Sequence, residues 1–334
     1  MSARRVAGTV AAGLAGVAVA RLAAADRVPW VRSCTAPLLA LTPAAAAAGW
    51  ASVPIARGRG ARTVTALAAA ALTATVIPRT LPRRQPEAGG PVLRVLTQNM
   101  LIGRAPADAL IELARATAAD VLFVQELTVE AADRLARAGV GSVFPYQAIG
   151  HSDGSAHDTG IYARYPLRED VAAAADGDGR RVGAGGPRAM PQRTARLDLP
   201  SGHSVRLVCA HIPPPKPPWA PWCAERWQAE LGRVPPPGTP PGDLPVVLAG
   251  DFNATVDHAP LRAVLRRGYR DAACEVGNGL VPTWGPEPHG HPPLLTIDHV
   301  LVGPGCAVLR TRVHRVPGID HRALYAELRL PADR

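Results

Sequence analysis

Val246-Val247-Leu248-Ala249-Gly250-Asp251-Phe252-Asn253 carries the reading of the fold. Its apolar run, broken by glycine and closed by an acid and an amide, reads as a buried strand whose polar end emerges at a sheet edge. The same grammar recurs on either side. Upstream stand Val92-Leu93-Arg94-Val95-Leu96-Thr97-Gln98-Asn99, Asp120-Val121-Leu122-Phe123-Val124-Gln125-Glu126 and Val208-Cys209-Ala210-His211. Downstream follow Thr296-Ile297-Asp298-His299-Val300 and Gly318-Ile319-Asp320-His321. Residues 106–119, with Ala109, Leu110, Leu113 and Ala114 at helical spacing, and residues 222–233 read as helices between strands. Strands mixed with helices throughout predict two packed sheets covered by helices, a four-layer α/β/β/α sandwich over residues 92–334. The polar strand ends would then gather along one rim.

The residue types at that rim define a chemistry. Glu126 closes an apolar strand, and a carboxylate facing a cleft there suits Mg²⁺, which takes oxygen ligands and keeps several waters. Asp251 and Asn253 are two positions apart, so on a strand they project to one face and can reach one phosphate group. Asn253 would donate to a non-bridging oxygen as charge develops, and Asp251 would handle a proton on the attacking water or on the leaving oxygen. His321 is the expected general base, because an imidazole with a pKa of about 6.5 can take a proton from water near neutrality. Together these groups predict a hard-cation site working on phosphate esters.

In this order the six blocks resemble the endonuclease/exonuclease/phosphatase superfamily, whose relatives include DNase I-like nucleases, inositol polyphosphate phosphatases and sphingomyelinases. The most specific part is Gly250-Asp251-Phe252-Asn253 combined with the closing Asp320-His321. The run from Asp158-Thr159-Gly160-Ile161-Tyr162 through Ala163-Arg164-Tyr165-Pro166-Leu167, and Thr283-Trp284 ahead of Ile297-Asp298-His299, also fit. The resemblance implies a DNase I-like sandwich and a hydrolase of phosphoric or pyrophosphoric esters that uses Mg²⁺, with Mn²⁺ as a substitute. It further implies that Asn99 orients the metal or a neighbouring carboxylate and that Asp320 adds a second metal contact beside Glu126. Asp298 would fix the tautomer of His321 and stabilise its imidazolium, and His211 would bind the phosphate or assist the leaving group.

Residues 1–85 are of another kind. Apolar, alanine-rich stretches at 6–25, 34–56 and 61–78 approach the length of about 20 residues that a membrane span requires, which predicts three transmembrane helices. A cleaved secretory signal ending at Ala23-Ala24-Ala25 is the competing reading. Arginines flank the stretches evenly, five on either side, so charge leaves the orientation open. Three spans from an inside N-terminus, together with a resemblance to membrane-anchored actinobacterial members of the VanJ teicoplanin-resistance type, place the expected catalytic domain outside the cytoplasm of a multi-pass membrane protein. Residues 86–91 read as a Pro/Gly linker.

Charge separates the candidate partners. The formal net charge is +10, but residues 1–90 hold eleven Arg against two acids, while the remainder holds 26 Lys plus Arg against 25 Asp plus Glu. A domain that neutralises many backbone phosphates shows a basic face, so nucleic acid is not the favoured substrate and a phosphate ester at the lipid bilayer is. A Mg²⁺-dependent nuclease, and an inactive membrane-anchored binding protein, remain as alternatives. No protein partner is evident.

The five cysteines lack zinc-ligand spacing, which excludes a metal–thiolate site, and one bridge such as Cys209 to Cys223 stays open. Arg164, on the strand of Tyr162, reads either as a phosphate clamp or as an edge residue. Trp219, Trp222 and Trp227 read as a small satellite core or as an interfacial shelf. Residues 176–191 read as a mobile loop. His299 adjoins Asp298, and of the histidines outside the rim it is the first to reconsider.

Overall fold

The computed structural model describes residues 3–23, 39–56, 58–149, 158–169, 190, 192–215, 221–238, 243–285 and 293–332, with side chains for all of these except 3–12, 221 and 222. Cys34, Trp219, the side chain of Trp222 and nearly all of the expected loop at 176–191 lie outside that set.

Five of the six apolar blocks carry strands, as expected, and Gly318-Ile319-Asp320-His321 is the turn that leads into the last strand. We label β1 (Val92–Asn99), β2 (Val121–Gln125), β3 (Tyr146–Ile149), β4 (Thr159–Ala163), β5 (Leu167–Glu169), β6 (Arg193–Asp198) and β7 (Ser204–His211). β8 (Val246–Asp251), β9 (Arg270–Asp271), β10 (Asp298–Val302), β11 (Ala307–Arg315) and β12 (Arg322–Arg329) complete the set. They form two six-stranded sheets, ordered β11-β12-β1-β2-β4-β3 and β5-β6-β7-β8-β10-β9. The sheets pack face to face over a core that includes Val95, Phe123, Ile161, Leu207, Val247 and Val300. The outer face of the first sheet is covered through Leu110 and Leu135, which lie on helices Ala107–Ala116 and Val129–Arg137. The second is covered through Trp227 and Leu261, on helices Pro221–Arg233 and Ala259–Arg266. Four layers result, because each sheet has two apolar faces to bury.

Strand direction then builds the rim. β1 and β2 run parallel, as do β7 and β8, so the carboxyl ends at Asn99, Gln125, His211 and Asp251 come to one end of the sandwich. β10 and β12 run antiparallel to β8 and β1, so their beginnings lie at that same end: Asp298 pairs with Asp251, and His321 immediately precedes β12.

The N-terminal region is helical: α1 (Ala3–Leu22), α2 (Thr42–Ser52) and α3 (Arg59–Val76). Leu14 and Ala18 of α1, Ala46 of α2, and Ala68 and Leu72 of α3 form a small core. Gly49 allows the close approach, since a Cβ there would lie 2.8 Å from the Cβ of Ala69. Within the second expected span, 34–56, the described residues hold a helix of 11 residues, about 16 Å at about 1.5 Å per residue, and residues 34–38 lie outside the described set. Pro43 in the first turn sets its start and Pro54 follows its end. Among the described residues one helix, Arg59–Arg79, is long and apolar enough to cross a membrane.

The chain leading into and through the expected linker, residues 82–90, is pinned to the catalytic domain. Pro82 pairs with Val276, Arg83 N donates to Glu275 O at 2.8 Å, Val308 N to Gln85 Oε1 at 2.9 Å and Gly90 N to Leu330 O at 3.0 Å.

Candidate active site

At the end of β8, Gly250 has φ 146° and its chain runs so close to β7 that a Cβ would lie 1.9 Å from Ala210 O. Only glycine fits, and it delivers Asp251 to the rim. Two residues on, Asn253 adopts φ 47°, and Glu126, just past β2, adopts φ 53°. Left-handed backbone at non-glycine residues costs about 1–3 kcal/mol and persists where surrounding contacts enforce it. Those contacts are present. Asn253 N donates to Asp251 Oδ1 at 2.8 Å, while Ile102 N donates to Glu126 Oε2 at 2.6 Å.

Asn99 joins the two halves of the site. Its Nδ2 donates to Glu126 Oε1 at 3.1 Å and to Asp251 Oδ2 at 3.0 Å, and its Oδ1 accepts from Leu101 N at 2.9 Å. A fully buried amide thus holds one carboxylate from each sheet. His211 Nε2 stands 3.6 Å from Glu126 Oε1. Asp298 is set by Thr283, whose Oγ1 accepts from Ile297 N and Asp298 N, both at 3.1 Å. Asp298 in turn faces His321 Nδ1, at 3.0 and 3.2 Å from its two oxygens. The other ring nitrogen of His321 lies 3.8 Å from Asp251 Oδ2. Asp320 accepts from Trp284 Nε1 at 3.0 Å, and its second oxygen is buried without a hydrogen bond.

Asn99, Glu126, His211, Asp251, Asn253, Asp298, Asp320 and His321 therefore meet at one end of the sandwich. Two details differ from expectation. Both amide hydrogens of Asn253 are engaged, with Ile212 O at 2.9 Å and Asp251 Oδ2 at 3.2 Å, so donation to a phosphoryl oxygen requires release of one. Burial pushes the His321 imidazole down, but the Asp298, Asp251 and Asp320 carboxylates outweigh it and hold the pKa well above 6.5. In the protein alone that ring carries a proton, which a general base must first lose. Asp251 is pushed above the usual carboxylate range by burial and by Asp298, against the pull of His321.

This is a site short of positive charge, and the donor set fits a divalent cation. Ligand atoms of Asp251, Asp298 and His321 all lie within 4.8 Å of one another, and Glu126 and Asp320 bring further carboxylate oxygens. Asp251, Asp298 and His321 thus join the expected Glu126, Asn99 and Asp320 as candidates at the same rim. Asp298 and His321 already satisfy one another, which leaves Glu126, Asp251 and the free oxygen of Asp320 as the carboxylates best suited to an oxygen-seeking ion.

The packing settles several residues whose readings the sequence left open. His299 is a satisfied core residue: its Nδ1 lies 2.6 Å from Asp271 Oδ2 and its Nε2 2.8 Å from Ala254 O. Both partners are acceptors, so the ring is doubly protonated; burial alone would lower its pKa, and Asp271 raises it. Adjacency to Asp298 was the only signal. Trp227 is fully buried and donates from Nε1 to Phe252 O at 3.2 Å, so it belongs to a core and braces the loop after β8. Arg164 donates to Ala119 O at 2.7 Å and Tyr162 is buried in the core, so neither is a phosphate clamp here. Cys209, Cys223, Cys274 and Cys306 are free thiols, and the Cys209–Cys223 bridge is not formed.

Comparisons with known proteins agree on the architecture. The model of the Endonuclease/Exonuclease/phosphatase family matches residues 96–326. A search of curated proteins finds no match. Among solved structures, the endonuclease/exonuclease/phosphatase from Beutenbergia cavernae is 20% identical, with a TM-score of 0.53 and 72% of each chain covered. A D. rerio TDP2 humanised by 14 mutations is 16% identical, with a TM-score of 0.52, over 71% of this chain and 98% of that one. D. rerio TDP2 complexed with a single-strand DNA product is 15% identical, with a TM-score of 0.51, over 71% and 98%. At these identities the likeness speaks for the fold.

Proposed function

This chain belongs to the endonuclease/exonuclease/phosphatase family, whose members hydrolyse phosphoester bonds, and on that premise we propose that it is a Mg²⁺-dependent phosphohydrolase held at a membrane. Its substrate is a phosphate or pyrophosphate ester of a lipid-linked carrier, with Mn²⁺ able to replace Mg²⁺. The observation that carries the reaction class is the rim itself, where Asn99 holds Glu126 and Asp251 together beside the Asp298–His321 pair. Glu126 and Asp251 would hold a divalent cation, with Asp320 as a further ligand, and the ion would supply charge compensation and polarise the phosphoryl oxygen. His321, oriented by Asp298, takes the proton of the attacking water once the surrounding negative charge is offset. His211 stands beside Glu126 to meet the phosphate or the leaving oxygen.

Membrane attachment is supported by what the helices expose. Val19, Leu41, Trp50, Ile55, Leu67 and Ile77 turn apolar side chains outward, with Leu67 67% and Ile55 71% accessible. Bare apolar surface of this kind on a helical region suits lipid. α1 and α3 both approach the catalytic domain with their carboxyl ends, through Arg21 and Arg79, which favours an N-terminus on the side of the membrane opposite the catalytic domain. The polyprenyl cell-wall carrier, with a role in antibiotic resistance, follows from the resemblance to VanJ-type proteins. A nuclease is the second reading, favoured by the DNA product bound to TDP2.

The test is the full-length protein in proteoliposomes with a polyprenyl pyrophosphate, beside supercoiled plasmid, with EDTA and then Mg²⁺ or Mn²⁺. We expect phosphate release that EDTA abolishes and either ion restores, with little nicking. Rapid nicking without phosphate release supports the nuclease, and full activity in EDTA refutes the metal site.

A further inference from the structure

Asp257 lies four residues beyond Asn253, in the loop that leaves β8, and its side chain is wholly buried. Two guanidinium groups hold its carboxylate, and both come from the N-terminal helical region. Arg21, at the end of α1, donates from Nε to Oδ1 at 2.7 Å. Arg79, just past α3, donates from Nη1 to Oδ2 at 2.8 Å and from Nη2 to Oδ1, a two-pronged contact with 6% of the arginine side chain exposed. Among the described residues, no group of the catalytic domain forms an ion pair with this carboxylate.

The loop between Asn253 and Asp257 is short and internally tied. Thr255 Oγ1 accepts from Asp257 N at 3.3 Å, and Thr255 N donates to His258 Nδ1 at 2.9 Å. Its other anchors are Trp227 on Phe252 O and the doubly protonated His299 on Ala254 O. A cavity of about 80 Å³ separates the helices from the catalytic domain, and Arg79, Asp257, His299 and Asp271 all line it. The segment that follows Asn253 is thus gripped from three directions, one of them the N-terminal helical region.

We infer that the N-terminal helices are a positioning element of the active site, acting through an Arg79–Asp257 clasp that sets the loop carrying Asn253. Arg79 and Asp257 are positioning residues: neither reaches the rim, and each acts through the loop backbone. Removing Asp257 leaves two guanidinium groups facing each other without a counter-charge, and removing Arg79 takes away the two-pronged contact and leaves only Arg21 Nε on Oδ1, so in either case the loop shifts or opens. Shifting it disturbs Asn253, whose backbone and side chain both bond Asp251. The inference goes beyond tethering and rests on the proposed reaction only where turnover is read.

The experiment uses the full chain in detergent micelles, with Asp257→Asn, Arg79→Met and the conservative Arg79→Lys. Amide hydrogen exchange is followed over residues 252–258 and in β1 and β12, and Mn²⁺ binding is titrated on the same samples. In Asp257→Asn and Arg79→Met, exchange in the loop accelerates while β1 and β12 keep their protection. Mn²⁺ affinity falls by about tenfold or more, the scale of losing a group that orients a metal ligand, and Arg79→Lys lies between. A purely structural staple gives a lower unfolding temperature with loop exchange and Mn²⁺ affinity at wild-type values, and that result overturns the inference. Neither readout requires turnover, so a protein that hydrolyses none of the substrates above refutes the proposed function while the exchange pattern still judges the clasp.

Discussion

Asn99→Asp replaces one donor nitrogen by oxygen and so tests whether this residue separates two carboxylates. The nitrogen stands 3.1 Å from Glu126 Oε1 and 3.0 Å from Asp251 Oδ2, and an aspartate oxygen there faces both. At an effective dielectric of about 20, each unit pair at about 3 Å repels by roughly 5–6 kcal/mol. The folded variant avoids this by keeping a proton that its unfolded chain releases. Holding an acid of pKa about 3.9 protonated costs about 1.4 kcal/mol per pH unit, so roughly 5–6 kcal/mol at pH 8 and about 1.5 kcal/mol at pH 5. The folded state binds the extra proton, so stability relative to wild type falls as pH rises. Thermal unfolding in EDTA reads this directly. With about 2–4 °C per kcal/mol for a domain of this size, the variant melts roughly 10–20 °C below wild type at pH 8 and within a few degrees at pH 5. Saturating Mn²⁺ narrows the gap, because a cation compensates the added charge. An equal deficit at both pH values, or none at pH 8, refutes the placement of Asn99 between the carboxylates.

His321→Ala lowers turnover by about two to four orders of magnitude while the protein remains folded, the loss expected for a proton-transfer group, and steady-state rates on whichever substrate the wild type cleaves decide it. Asp298→Asn follows it closely, because His321 then loses its orienting partner. Trp227→Phe keeps the ring but strands Phe252 O, which costs about 1–3 kcal/mol for a buried unsatisfied group. An unfolding temperature equal to wild type would show that the carbonyl does not depend on the indole.

The rim was legible because its residues lie at the end or the start of apolar runs. Asn99, Asp251 and Asp298 could be placed at strand ends from local pattern alone, and antiparallel or parallel pairing then carried them to one end of the sandwich. The state of His321 was not legible. A pKa of about 6.5 describes an isolated imidazole, whereas here three carboxylates from β8, β10 and the turn before β12 converge on it. The close packing among the N-terminal helices was not legible either. Alanine is apolar enough to fill a span window, but it is also the residue that lets short helices pack closely, as Ala69 does against Gly49.

The sequence by itself determined the strands, their polar ends, the four-layer architecture and the class of chemistry, because apolar periodicity, turn residues and side-chain type are local properties. Only the tertiary structure decided which charges meet. Arg79 and Asp257 are 178 residues apart, and nothing in either neighbourhood marks the other as its partner. His299 and Asp271, and Trp227 and Phe252 O, are likewise joined by the packing of one element on another. Buried polar groups must find partners, but which partner is available depends on how sheets and helices close over them, a long-range outcome that no stretch of chain encodes alone.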